Sequence, residues 1–161
     1  MIARTIEYTD YNGNKRKEKH YFNLTQFEAT EISLELPDGI VEEMNPDGNK
    51  EDAVVVATHL VDKLGQKGVM DFIKNIVLKS YGAKAPDGRE FIKNEKLTNS
   101  FVQSPAYSAF MMRLLTDDNE ASRFIQGVIP AELAAKMAAK GREDSPKVVE
   151  METDEATDIV G

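Results

Sequence analysis

Residues 78–130 read LKSYGAKAPDGREFIKNEKLTNSFVQSPAYSAFMMRLLTDDNEASRFIQGVIP, and their punctuation decides the fold. Pro86-Asp87-Gly88 is turn chemistry, and Glu90, Phe91, Ile92 and Lys93 follow as a brief extended piece with Phe91 inward. Asn94 stands where a helix needs a side-chain acceptor for its free N–H groups, and Leu97, Phe101 and Val102 carry that helix to about Gln103. Ser104-Pro105 restarts the chain, because proline at a first helical position gives up an N–H that has no partner anyway. The resulting helix, 105–115, sets Tyr107, Phe110, Met111 and Leu114 on one face, with Met112 and Leu115 off it. Thr116 or Asp117 caps the next helix, to about Gln126. Glu120 sits in the first turn, where the backbone dipoles favour an acid, and Ala121, Phe124 and Ile125 point inward. Gly127 reads as its stop. Pro130 opens a last helix over 131–140, with Leu133, Ala134 and Met137 on one side and Gly141 at its end.

Toward the N-terminus the period changes. Ile2, Ile6 and Tyr8 share one face of a strand, with Arg4 as the odd member; His20, Phe22 and Leu24 do the same on a return strand. Asn12-Gly13 between them is the short-hairpin signal, since both residues tolerate positive φ. Lys15, Arg16, Lys17 and Lys19 make the second strand basic, which reads as a charged edge that resists aggregation or as a contact for an anion. Thr25 and Glu28 form a capping box for a helix over 26–35. Breakers at 36–39 and 45–48 follow. Ala53, Val56, Ala57, Leu60, Val61 and Leu64 then make a continuous stripe on a helix over 50–64. A turn between Gly65 and Gly68 leads to another helix over 67–81, striped by Val69, Phe72, Ile73, Ile76 and Val77 and closed by Gly82 as a left-handed cap. So short a connection predicts that the two helices pack antiparallel.

The fold class is therefore mainly α with an N-terminal β-hairpin (α+β), a small helical bundle packed against the hairpin. Residues 1–25 form the hairpin of a single domain and residues 26–140 its helical body. Residues 141–161 hold seven acids against two bases and no aromatic, so a disordered acidic tail is expected. The chain's net charge is −8, of which that tail carries −5, so the other 140 residues carry only −3. A body so close to neutral lacks the basic footprint of a nucleic-acid binder. No apolar run reaches the length of a membrane span, and the opening MIARTIEYTDYNG has no signal-peptide core. The absence of cysteine removes disulfides, thiolate metal sites and cysteine nucleophiles, and fits a reducing cytoplasm.

Reactive constellations are missing. His20 and His59 have no acid or imidazole at ligand spacing. Asp117-Asp118 is explained as a helix start and Glu42-Glu43 as a solvated loop, so neither pair reads as acid and base. No catalytic residue, cofactor site or metal site is expected. One feature exceeds the needs of a core: Tyr107, Phe110, Met111, Met112, Leu114 and Leu115 make one helix apolar on more than one side. Such a helix is either central in the core or presents an adaptable face to another chain, and Tyr107, Phe110, Met111 and Met112 are the candidate partner-binding residues.

The residues also carry a family pattern. Lys79-Ser80-Tyr81-Gly82-Ala83-Lys84, then Asp87-Gly88-Arg89-Glu90-Phe91-Ile92-Lys93, resembles a segment of the tail assembly chaperones of long-tailed, siphovirus-type bacteriophages. Phe101-Val102-Gln103-Ser104-Pro105-Ala106-Tyr107, Leu115-Thr116-Asp117 and Phe124-Ile125-Gln126-Gly127-Val128-Ile129-Pro130 continue it in order, and residues 4–13 and 21–25 match its start. Ser104 stands where the pattern has Thr, and the loop 37–52 has no counterpart. The resemblance covers residues 1–130. It implies a non-enzymatic protein of the infected cell's cytoplasm, absent from the mature virion. Such a protein would bind the tape measure protein and keep it soluble during tail morphogenesis. It also implies, as further partners, a frameshifted longer form of the chain itself, the tail tube protein and a homo-oligomer. The alternatives are a structural tail component, a tube or terminator subunit, and an unrelated cellular protein-binding adaptor.

Overall fold

Strand β1 (Ile2–Thr9) pairs antiparallel with β2 (Lys15–Phe22) along its whole length in the computed structural model, which describes residues 1–35 and 53–130. The register sets Ile2 opposite Phe22, Arg4 opposite His20, Ile6 opposite Glu18 and Tyr8 opposite Arg16, so the even-numbered face is the inner one, as the two-residue period requires. The turn is longer than Asn12-Gly13 alone. Asp10 closes the loop 10–14: its carboxylate accepts from the N–H groups of Asn12 and Asn14, each at 2.9 Å, and from Arg16 Nε at 2.8 Å. These contacts hold the Asp10 carboxyl below its usual range, with Arg16 the largest cause.

Helix α1 (Gln26–Glu35) begins on the expected capping box. The Thr25 N–H donates to Glu28 Oε2 at 2.8 Å, and the Glu28 N–H donates to Thr25 Oγ1 at 3.2 Å. The expected two helices meet at a kink and together make up α2 (Ala53–Ser80). A single residue interrupts it: Gly65, at φ 71° and ψ 166°, holds a conformation closed to residues with a Cβ, whereas Gly68 lies inside the helix that resumes. Phe72, Ile73, Ile76 and Val77 are buried, as their stripe predicts. The last helix, the acidic tail and the breakers between the first two helices lie outside the described residues.

The hairpin is half of a larger sheet. After Ser80 the chain forms β3 (Tyr81–Lys84) and then β4 (Phe91–Ile92), giving a four-stranded antiparallel sheet in the order β1-β2-β3-β4. Only Tyr21 and Phe22 of β2 pair with β3. Gly82 is a strand residue with no positive φ, not a helix cap. Its missing side chain is what the sheet uses: a Cβ there would meet the Ile92 carbonyl oxygen and the Phe91 ring, both at 2.5 Å.

Helices α3 (Glu95–Val102), α4 (Pro105–Thr116) and α5 (Asp118–Val128) complete the described body. Asn94 Oδ1 accepts from the Leu97 N–H at 2.9 Å, and Asp117 Oδ1 accepts from the N–H groups of Asn119 and Glu120 at 3.0 and 3.2 Å. Gly127 does not end α5. It lies within it, and a Cβ there would stand 2.7 Å from Ile2 Cγ2. Phe22 sits at the meeting point of these elements and is 0% exposed. Its ring stacks on Phe110 at 5.1 Å and meets Phe124 edge-on at 5.1 Å, Tyr81 at 5.6 Å and Phe101 at 6.1 Å. One residue at the end of β2 thus joins β3, α3, α4 and α5.

Replacing Gly82 by alanine should lower stability by about 1–3 kcal/mol, because the methyl group must displace a backbone carbonyl. Urea unfolding followed by circular dichroism measures this. An unchanged midpoint would show that β3 and β4 are not held at this distance.

Candidate partner-binding surface

Helix α4 carries the four residues singled out from the sequence. Ser104 does not cap it by side chain; the hydroxyl donates instead to the Phe101 carbonyl at 2.7 Å and closes the preceding helix. Ala106, Phe110, Met111 and Leu114 face the core, and α4 lies against the inner face of β1. Phe110 is 1% and Met111 7% exposed, so neither presents surface in this chain. Tyr107 is half-buried and meets Phe101 edge-on at 5.5 Å. Burial pushes its phenol up from 10.0. Met112 alone points out, 56% exposed. Adjacent helical residues lie about 100° apart, so the apolar width of this helix is mostly core, and the four candidates do not share one face.

A second apolar face stands on α1. Ala29 and Ile32 enter the core, whereas Phe27 and Leu34 are 73% and 81% exposed. Seven residues separate those two, so they project within about 20° of each other and nearly opposite the buried pair. The sequence carried a signal for this: a ten-residue helix with apolar residues on both sides has one side too many for a single core. The inner contacts fix α1 at both ends. Near its start Lys93 Nζ reaches Glu28 Oε2 at 2.7 Å. At its end Asn75 Nδ2 and Lys79 Nζ reach the Glu35 carboxylate at 3.0 and 3.2 Å. Burial alone would push the Glu28 carboxyl up, but Lys93 and the Thr25 N–H outweigh it and the net direction is down. Phe27 and Leu34 therefore stand outward on an anchored helix.

Inside the sheet, His20 lies between Tyr81 and Phe101, with ring centroids at 5.8 and 5.2 Å, and its Nδ1 is 3.2 Å from the Tyr81 hydroxyl. Among the described residues, its buried Nε2 has no hydrogen-bond partner, and neither has the buried Nε of Arg4 on the facing strand position. Glu18 stands 3.6 Å from that imidazole nitrogen. Among the described residues, no three His, Cys, Asp or Glu side chains gather to hold a metal ion. A shallow groove of about 520 Å³ beside Leu78, Tyr81, Lys93 and Thr98 is mostly polar. No helix among the described residues is long and apolar enough to cross a membrane.

A family model described as phage tail assembly chaperone matches residues 1–159, nearly the whole chain. No curated protein and no solved structure matches.

Burial lowers the affinity of His20 for a proton from its ordinary value of 6.5, against a smaller opposing pull from Glu18. The unfolded chain then binds more protons than the folded one as pH falls below about 6.5, so the contribution of neutral His20 is full above that pH and fades below it. Urea midpoints should drop between about pH 6.5 and 5, before the carboxylates titrate, and His20→Gln should flatten the drop. An identical pH profile in the variant would contradict this assignment.

Proposed function

We propose that this chain, which belongs to the family of phage tail assembly chaperones, binds the tape measure protein and keeps its apolar helices soluble until the tail tube forms around them. The observation that carries this reading is the outward apolar face of α1, Phe27 and Leu34, held on an anchored helix with Met112 exposed elsewhere on the body. Soluble proteins normally place such side chains singly; two on one helical face suit the apolar stripe of an amphipathic partner helix. A patch of two or three side chains binds weakly. Retention of a long rod then rests on many copies bound along it, with multivalency supplying what single contacts lack. The net charge of −8 keeps loaded complexes apart by repulsion.

The role is non-enzymatic, exercised in the host cytoplasm, with the protein left out of the mature virion. Met112 belongs to the contact surface on this reading. Phe110 and Met111 contribute by setting the helix on which Met112 stands. A tail tube protein, a longer frameshifted form and further copies of the chain are compatible partners at other surfaces.

Coexpression with the cognate tape measure protein should raise the soluble yield of that protein. Phe27→Asp with Leu34→Asp should abolish the gain, and Met112→Asp should reduce it. Each change is exposed and should move stability by no more than about 0.5 kcal/mol, which circular dichroism checks. Wild-type protein that leaves the yield unchanged, or an α1 double variant that stays fully active, would contradict the proposal.

A further inference from the structure

Three acids lie along α1, and the body neutralises two of them. Glu28 is held by Lys93 at 2.7 Å, and Glu35 by Lys79 at 3.2 Å and Asn75 at 3.0 Å. The third, Glu31, is exposed, and among the described residues it has no ion pair. Counted at about 100° per residue from Phe27, Leu34 lies about 20° to one side and Glu31 about 40° to the other. Ala29 and Ile32 enter the core on the far side of the helix. Glu31 therefore borders the outward apolar face, where a partner would meet it.

The opposite border of that face is neutral. It holds Gln26, Thr30 and Ser33. The Thr30 hydroxyl donates to the Gln26 carbonyl at 2.8 Å, and the Ser33 hydroxyl donates to the Thr30 carbonyl at 2.7 Å. Both hydroxyls are turned back onto their own helix, so a partner resting there has no donor to satisfy. In heptad terms Phe27 and Leu34 occupy successive a positions, Thr30 the d position between them, and Glu31 the e position. The two apolar side chains stand about 10.5 Å apart along the axis, so a second helix with a seven-residue apolar repeat can lie against both. In such a pairing the charges at e and g decide which helices are accepted.

We infer that Glu31 is the specificity-determining residue of this face, which takes amphipathic helices whose apolar stripe is bordered by lysine or arginine and disfavours those bordered by acids. The inference rests on the reading that the outer face of α1 is the partner-binding surface. Charge complementarity names the occupant: one unpaired carboxylate stands beside an apolar stripe that is otherwise polar-neutral. An exposed carboxylate facing a neutral stripe stays hydrated, so neutral helices rank between basic and acidic ones. An exposed ion pair changes a single contact by roughly 1.5- to fivefold in affinity. That factor is small for one copy but multiplies along a rod that carries many, so selection of the partner comes from repetition. The chain's net charge of −8 attracts basic helices from a distance, whereas Glu31 acts at contact.

Stapled helical peptides about two heptads long test this against the full-length protein by fluorescence anisotropy. They share leucine at a and alanine at d, carry the staple on the far face, and differ only in lysine, glutamine or glutamate at e and g. Affinity should fall in that order, and the differences should vanish at about 1 M salt, where the screening length is about 3 Å. Glu31→Gln should lower the preference for the lysine peptide over the glutamine peptide by roughly 1.5- to fivefold and leave the affinity for the glutamine peptide unchanged. Glu90→Gln, which removes an exposed carboxylate from the loop before β4, should leave the preference intact. A preference that Glu31→Gln does not move, or that Glu90→Gln moves as much, would overturn the inference. The α1 surface would still stand in that case if Phe27→Asp with Leu34→Asp abolished binding of all three peptides. Failure of every peptide to bind, or binding that survives the double variant, would overturn the surface itself and this inference with it.

Discussion

Strand β3 and helices α3, α4 and α5 converge on the ring of Phe22. The residue ends β2, and its register with Ile2 and Tyr81 places it where the sheet passes under the helices. Phe110, Phe124, Tyr81 and Phe101 surround it at 5.1 to 6.1 Å, so α3, α4, α5 and β3 are all measured from one side chain. Removing a buried phenylalanine typically costs about 3–5 kcal/mol, a large part of a small domain's stability. The wide apolar coverage of α4 follows from this position. The helix meets the sheet through Phe110 stacked on Phe22, packs the same ring against Phe124 of α5 at 5.3 Å, and meets Phe101 through Tyr107.

That constraint also decides what is left outside. With most of α4 taken by the core and only its Met112 exposed, the two most exposed apolar side chains among the described helices, Phe27 and Leu34, fall on α1, which is fastened through Glu28 and Glu35 and not through its outer face. The charged contacts are placed at the two ends of α1, and beside them, in its first and last turns, Phe27 and Leu34 face outward. A chaperone that holds an elongated helical client needs such a division between a rigid interior and a small, repeated apolar contact, because stronger single contacts would resist release when the tube assembles. Membership in the tail assembly chaperone family and this division of surface support the same reading.

Local chemistry made much of the fold legible. Thr25 with Glu28, Asn94 and Asp117 announced three helix starts, and each makes the capping bond its side chain predicts. The alternation of Ile2, Ile6 and Tyr8 gave the inner face of β1. What stayed hidden depended on partners distant in sequence. Tyr81 to Lys84 is four residues long and reads as the end of a helix until β2 is placed beside it. Gly82 and Gly127 look like stops from composition alone, yet each is glycine because another chain segment occupies the space of its side chain. Met111 and Met112 share a side chain, but the helical period already set Met111 on the face of Phe110 and Leu114 and Met112 off it, and the first is buried and the second exposed.

The central claim is that the client meets the outer face of α1 while the aromatic core stays closed. Amide and methyl NMR of the labelled protein, titrated with helical segments of the tape measure protein, tests it most directly. The account predicts shift changes centred on Phe27, Thr30, Glu31 and Leu34, a smaller group around Met112, and none at Phe22 or Phe110. Changes centred on Phe110 and Met111, with α1 silent, would mean that the body opens to bind, and would contradict it.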